Sequence, residues 1–364
     1  MYLYARKALA WEPRKALLAA LLASIYFVSL SISWQMYRQM TATIFLFATL
    51  TALRAFKSSR RHISVGVLAF LVVLSHELVA VIMLLLLSFE AVLSFRERRI
   101  SWGVLAEMLP ATSLFIFKLY SPESRGFVIP MDVVAPTFTL GLIYHITGFL
   151  AYSYVFILPF AAAGLTGVRE RSVRAWTVIC LVAVLSPIVT PGAAVVQWYR
   201  WAIFLVYPLV LYSAEGIDRL MHTKTRCNFR LLGIRLLSLV LIGSIATMSC
   251  YYLTTSPEHP FPYFSQYNPY LDYIPSSMLQ NTVAISDTPA LIETIGWFQT
   301  SVHGNYVLIA HESVYHWAYY LLSNGDRIVW IGEKSLSSPG RPSAAGRMVL
   351  AAEIARAKGY AVYT

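Results

Sequence analysis

The chain has 364 residues, of which 57 % are hydrophobic and only 13 % charged, and it carries a net charge of +11. So few polar groups cannot coat a soluble molecule of this size, which excludes an ordinary water-soluble enzyme and points to a protein whose exterior faces lipid. The basic excess sits in short stretches between apolar runs, so positive-inside membrane topology explains it better than nucleic-acid binding.

Eight apolar runs follow one another at residues 16–33, 40–53, 63–95, 102–120, 138–165, 173–189, 201–213 and 231–253. As one helix the third would reach roughly 50 Å, against a hydrocarbon core of about 30 Å. It also holds Ser75-His76-Glu77 near its middle, so it reads as two shorter helices joined by a polar turn. The expected fold class is therefore a polytopic α-helical membrane protein of about nine helical segments. Residues 1–253 form that helical domain, and the chain is expected in the cell membrane as a multi-pass protein.

Charge orients the segments. Nineteen of the 23 Lys and Arg in residues 1–253 fall on one side, around residues 6–15, 54–61, 96–99, 169–174 and 219–235. The other four are Arg38, Lys118, Arg125 and Arg200. The positive-inside rule assigns the larger group to the cytoplasm and the C-terminal region to the outside.

After residue 253 the composition changes. Residues 254–288 are rich in Pro, Tyr, Asn and Ser and read as an irregular linker. Residues 289–364 alternate helix-like and strand-like runs, with strands expected at 306–310, 327–332 and 360–363 and helices at 313–322 and 344–358. That order predicts a small extracytoplasmic α/β domain with a parallel sheet. None of the three cysteines lies in this region, which excludes a disulfide or cysteine–zinc framework there. His311-Glu312-Ser313-Val314-Tyr315-His316 resembles a zinc-protease helix, but its histidines are five apart and fall about 140° apart on a helix. No metal site is expected from it.

Polar groups at the outer ends of apolar runs are the candidate functional residues, because charge near membrane depth is costly. Arg200, in Gln197-Trp198-Tyr199-Arg200-Trp201, can hold a lipid phosphate through paired hydrogen bonds or simply snorkel to headgroups. Arg38 can add a second cation to the same pocket. His76 and Glu77 can position a phosphate or acceptor, or merely cap two short helices. Asp132 and His145 are further pocket candidates, each with a plain helix-end or core role as the alternative.

The stretches Ser31-Ile32-Ser33-Trp34-Gln35-Met36-Tyr37-Arg38-Gln39, Leu74-Ser75-His76-Glu77-Leu78-Val79-Ala80, Gln197-Trp198-Tyr199-Arg200-Trp201 and Ile295-Gly296-Trp297-Phe298 occur in an order that resembles archaeal GT-C glycosyltransferase-like membrane proteins. The resemblance implies a polyprenyl-phosphate-linked sugar as donor, membrane lipid as surroundings, and Arg200 as the donor-phosphate residue. Such enzymes place an acidic catalytic residue in the first outer loop, yet residues 34–39 contain no Asp or Glu and Gln35 stands in its place. The resemblance therefore implies that the catalytic N-terminal part is missing, truncated or supplied by a separate chain. Glycosyl transfer needs an arginine for the phosphate, an acid for the acceptor hydroxyl and, in some enzymes, a divalent metal ion; only the first is visible. A non-enzymatic subunit or lipid-binding module on the same scaffold is the alternative, and a transporter fits less well for want of paired halves.

Overall fold

The computed structural model describes residues 1–35, 37–56, 59–96, 102–120, 140–189, 198–222, 228–254, 287–302, 306–322, 328–331 and 344–363. The chain divides into two compact units, Met1–Thr254 and Thr255–Thr364.

Among the described residues the elements of the first unit are helices: α1 (Tyr2–Lys7), α2 (Pro13–Ile25), α3 (Phe27–Gln35), α4 (Tyr37–Ala55), α5 (Ser59–Ser75), α6 (Glu77–Arg96), α7 (Trp102–Tyr120), α8 (Leu140–Tyr154), α9 (Leu158–Gly164), α10 (Arg171–Val189), α11 (Trp198–Phe204), α12 (Val206–His222) and α13 (Asn228–Thr254). Several outer stripes are apolar. On α5, Ile63, Val67, Phe70 and Leu74 are exposed, while Val65, Ala69, Val72 and Val73 are buried. On α10, Val178, Val182 and Leu185 face out and Cys180, Ala183 and Val184 face in. Repeats of three and four residues place each set on one helix face. Apolar stripes on both sides of a helix suit a lipid exterior, since in water they would form a continuous sticky surface.

Buried hydroxyls bond backbone carbonyls near the breaks in the helices. The Tyr26 hydroxyl donates to the carbonyl of Ser153 at 2.5 Å, beside the bend between α8 and α9. Ser213 donates to the carbonyl of Ile157 at 3.1 Å. Tyr154 donates to the carbonyls of Ala202 and, at 3.3 Å, Ile203, near the junction of α11 and α12. Away from water such carbonyls need internal donors, which the bundle supplies. Helices α9 and α12 touch backbone to backbone. A Cβ on Gly164 would lie 1.9 Å from the carbonyl oxygen of Tyr212, and one on Gly216 would lie 1.9 Å from that of Phe160. Only glycine permits this approach.

Polar contacts gather at the two ends of the bundle. At one end Arg54 reaches both Glu90 and Glu170 at 2.6 Å, Lys15 and Arg219 both pair with Glu215, and His62 pairs with Glu107. At the other lie Arg38, Glu77 and Lys118. Helix α4 runs from Arg38 to Arg54, α6 from Glu77 to Glu90, and α7 from Glu107 to Lys118, so each connects the two layers.

The expectation of about nine membrane helices is not met. Among the described residues three helices are long and apolar enough to cross a membrane, Glu77–Ser94, Arg171–Ile188 and Trp198–Met221. The pair Ile146–Tyr154 and Leu158–Gly164, bent by 81°, would make a fourth if counted as one span. The reason is that apolar composition is not helix length. The run at 16–33 breaks at Tyr26, whose backbone is extended, leaving helices of 13 and 9 residues. Thirteen residues rise only about 20 Å. Helix α4 is long enough, but Arg38, Gln39, four threonines and Arg54 lower its hydropathy.

The second unit contains α14 (Thr288–Ser301), β1 (Tyr306–His311), α15 (Glu312–Leu321), β2 (Ile328–Ile331), α16 (Ala344–Ala357) and β3 (Ala361–Tyr363). The strands are parallel in the order β2-β1-β3, with Leu308 opposite Ile328 and Tyr306 opposite Ala361. Ile295, Phe298, Tyr306, Ala318 and Leu322 form its core. Gly359, at φ +78°, ends α16 and turns the chain into β3. Strands of six, four and three residues make a sheet too small to establish the expected α/β domain.

Candidate functional site

Helix α5 ends at Ser75 and α6 starts at Glu77, so His76 occupies the break. The last turn of α5 leaves carbonyls without intrahelical donors. Two cations from neighbouring helices supply them. Lys118, in the last turn of α7, donates to the carbonyls of Val73 at 3.0 Å and Leu74 at 3.4 Å. Arg38, at the start of α4, donates from Nε to the carbonyl of Ser75 at 3.3 Å.

The same two cations hold the Glu77 carboxylate. Lys118 Nζ donates to Oε1 at 2.8 Å, and an Arg38 guanidinium nitrogen lies 3.8 Å from that oxygen. At the N-terminus of α6 the helix dipole favours this negative charge as well.

His76 is neutral. Burial, the largest influence, pushes its pKa down to about 4; Glu77 opposes this, and the charges of Arg200, Arg38 and Lys118 add to it. The Leu78 N–H donates to Nδ1 at 3.2 Å. That nitrogen is therefore the acceptor, and the ring proton belongs on Nε2. His76 presents a neutral hydrogen-bond donor and is not set up as a base through Nδ1.

Arg200 opens the first turns of α11 and lies close enough for its charge to act on His76. Its Nε is buried and has no hydrogen-bond partner among the described residues. An unsatisfied buried donor on a cation is costly, and an anion would relieve it.

Counting formal charges among the described residues, Arg38, Lys118 and Arg200 against Glu77 leave a surplus of positive charge around a neutral histidine. The chemistry available is recognition of an anion. Carboxylate catalysis is less well served, since Glu77 is tied to two cations. Those cations also make the surroundings of Glu77 unsuited to a divalent metal, and among the described residues no group of three or more His, Cys, Asp or Glu is placed to hold a metal ion.

A cavity of about 770 Å³ runs along α4, walled by α1, α2, α3 and α4 together with Leu68 and Tyr207. It passes from Ile32 and Met40 to Ala52 and Phe56. Met40 is two residues beyond Arg38 on α4 and about 200° round the helix from it, and none of Arg38, His76, Lys118 and Arg200 lines the slot. Sixteen residues along α4 span about 24 Å. A slot of that length can take an extended apolar chain.

Of the residues singled out from sequence, Arg38, His76, Glu77 and Arg200 come together. Asp132 lies outside the described residues. His145 is on α8, but its side chain also lies outside them. Lys118 is a site residue that the sequence does not single out. It is one of the four cations outside the basic clusters, which is a signal, but nothing in the sequence says that α7 ends beside the α5–α6 break. Compared with models of protein families and with curated proteins, the chain matches none.

Proposed function

We propose that this is a multi-pass membrane protein that binds a polyprenyl-phosphate-linked sugar, or the polyprenyl phosphate itself, at the membrane face bearing Arg38, His76, Lys118 and Arg200. The observation that carries the reading is Arg200, whose buried Nε has no partner among the described residues and whose charge, like those of Arg38 and Lys118, acts on neutral His76. A lipid phosphate satisfies that donor and offsets the local positive charge. The largely apolar cavity along α4 supports it by offering room for a polyprenyl chain. In the positive-inside assignment this face is the outer one, with the C-terminal unit on the same side.

The protein is glycosyltransferase-like in this reading, and two roles remain distinct. As a GT-C type transferase it requires a carboxylate free to take a proton from the acceptor hydroxyl. As a lipid-binding subunit without its own catalysis it requires only the cations and the slot. Glu77, the carboxylate within this group, is held by Lys118 and Arg38, and this favours the subunit role. A separate chain then supplies the catalytic part.

Purified protein in nanodiscs tests the reading through retention of a polyprenyl phosphate. Wild type retains it and Arg200→Ala loses about tenfold or more in affinity, as expected for one charged hydrogen-bonding group. Equal affinity in the two proteins removes Arg200 from the phosphate site. Release of polyprenyl phosphate from a sugar-loaded donor by the purified chain alone selects the transferase role over the subunit role.

A further inference from the structure

His76 holds the junction of α5 and α6 through three hydrogen bonds. Its backbone N–H donates to the carbonyl of Val72 at 3.0 Å, which extends the ladder of α5, and its own carbonyl accepts from the N–H of Ala80 at 3.0 Å, which opens that of α6. The third bond comes from the side chain, where Nδ1 accepts from the N–H of Leu78 at 3.2 Å. One donor that the first turn of α6 cannot satisfy for itself is thus capped by the imidazole, as an asparagine or serine would cap it.

Only the neutral ring can do this. A proton on Nδ1 would face the Leu78 N–H donor to donor, so an imidazolium must turn away from it. The surroundings resist that proton as well. Burial is the largest influence; Glu77 of α6 opposes it, and Arg200 of α11, Arg38 of α4 and Lys118 of α7 add their repulsion, which leaves the pKa at about 4. An anion held by those three cations offsets their repulsion, and it can accept a hydrogen bond from the imidazolium in place of the lost cap.

We propose that His76 is a proton-operated switch of the phosphate site: neutral, it caps α6; protonated, it leaves Leu78 and adds its charge to the hold on the anion, so that anion binding and proton uptake favour each other. The inference rests on the phosphate-site reading and adds its regulation. Linkage makes the effect reciprocal, since the factor by which the anion raises the ring's affinity for a proton is the factor by which the proton raises affinity for the anion. Near neutral pH the ring carries no extra proton and affinity is flat; as pH falls toward 4 affinity rises.

The test is the affinity of the full chain in nanodiscs for a polyprenyl phosphoglucose at pH 7.5 and pH 4.5. This probe is a phosphodiester and keeps a single charge, whereas a monoester itself titrates near pH 6. Wild type is expected to bind about threefold tighter at the lower pH, the gain that follows if the complex holds the ring proton about tenfold more tightly. His76→Asn keeps a capping side chain that takes no proton, and its affinity is expected to be equal at the two pH values. Nitrogen NMR of wild type at pH 4.5 is expected to show the His76 ring mostly doubly protonated with the probe bound and mostly neutral without it. Binding that is equally tight at both pH values in wild type overturns the switch and leaves the phosphate site standing, and so does an equal gain in His76→Asn. If His76→Asn does not fold, a ring no more protonated in the complex than in the free protein overturns it. Failure to bind the probe at either pH overturns the phosphate site itself and the switch with it.

Discussion

Lys118 Nζ donates to Glu77 Oε1 at 2.8 Å while also bonding the free carbonyl of Val73 at 3.0 Å, so one ammonium ties α7 to both sides of the α5–α6 break. The two side chains are about four-fifths buried. Lys118→Met leaves a largely buried carboxylate with only the more distant Arg38, and the expected cost is about 1–3 kcal/mol, seen as a lower melting temperature in detergent. The double variant Lys118→Met with Glu77→Gln should recover part of the loss. A double variant no better than the single one would show that the pair adds nothing beyond the carbonyl bonds.

His76 gives a prediction about pH. Its folded pKa of about 4 lies below the ordinary value of 6.5, so between these values the unfolded chain binds the proton more readily. Stability is therefore lost as pH falls from about 6.5 toward 4, and is flat above that window as far as His76 is concerned. In His76→Gln that part of the pH dependence should vanish. An NMR titration showing the ring protonated at pH 6 would contradict the neutral donor assigned here.

Helices α9 and α12 give a packing prediction. Gly164→Ala and Gly216→Ala each place a methyl carbon against a backbone carbonyl at 1.9 Å, which the helices can relieve only by moving apart. Each substitution is expected to cost about 1–3 kcal/mol or more in unfolding experiments. Gly243→Ala is the control, because nothing lies within 4 Å of its added carbon. It should be neutral or slightly stabilising, since alanine favours helix.

Membrane burial of α10 is tested by a charge on its outer stripe. Val182 is 64 % exposed near the middle of the helix. If that stripe meets water, Val182→Lys is close to neutral. If it meets hydrocarbon, the cost to membrane insertion is about 2.5–3.5 kcal/mol. Insertion assays of the isolated α10 segment should show the larger figure.

Much of the site is legible in the amino-acid sequence, for a physical reason. Polar residues inside apolar runs are few, so Arg38, Ser75-His76-Glu77 and Arg200 stand out, and the break at His76 follows from a run too long for one helix. Lys118 is less visible, because its importance comes from meeting Glu77 across 41 positions of sequence. The His62–Glu107 pair is hidden for the same reason, since His62 looks like an ordinary member of a cytoplasmic basic cluster. Hydropathy overstates the number of spans because it reports composition over a window and is blind to a kink. Tyr26 and the bend at residues 155–157 divide apolar runs into helices too short to cross, and the Ser153 carbonyl at that bend is met by the distant Tyr26 hydroxyl, which no local pattern reveals.

Photo-crosslinking with a polyprenyl phosphate carrying its reactive group next to the phosphate tests the central claim most directly, since it reports position as well as binding. The expected adducts lie on peptides containing Arg38, His76 or Arg200, and they disappear in Arg200→Ala. Adducts confined to the other end of the bundle, near Arg54, Glu107 or Glu215, would contradict the phosphate site.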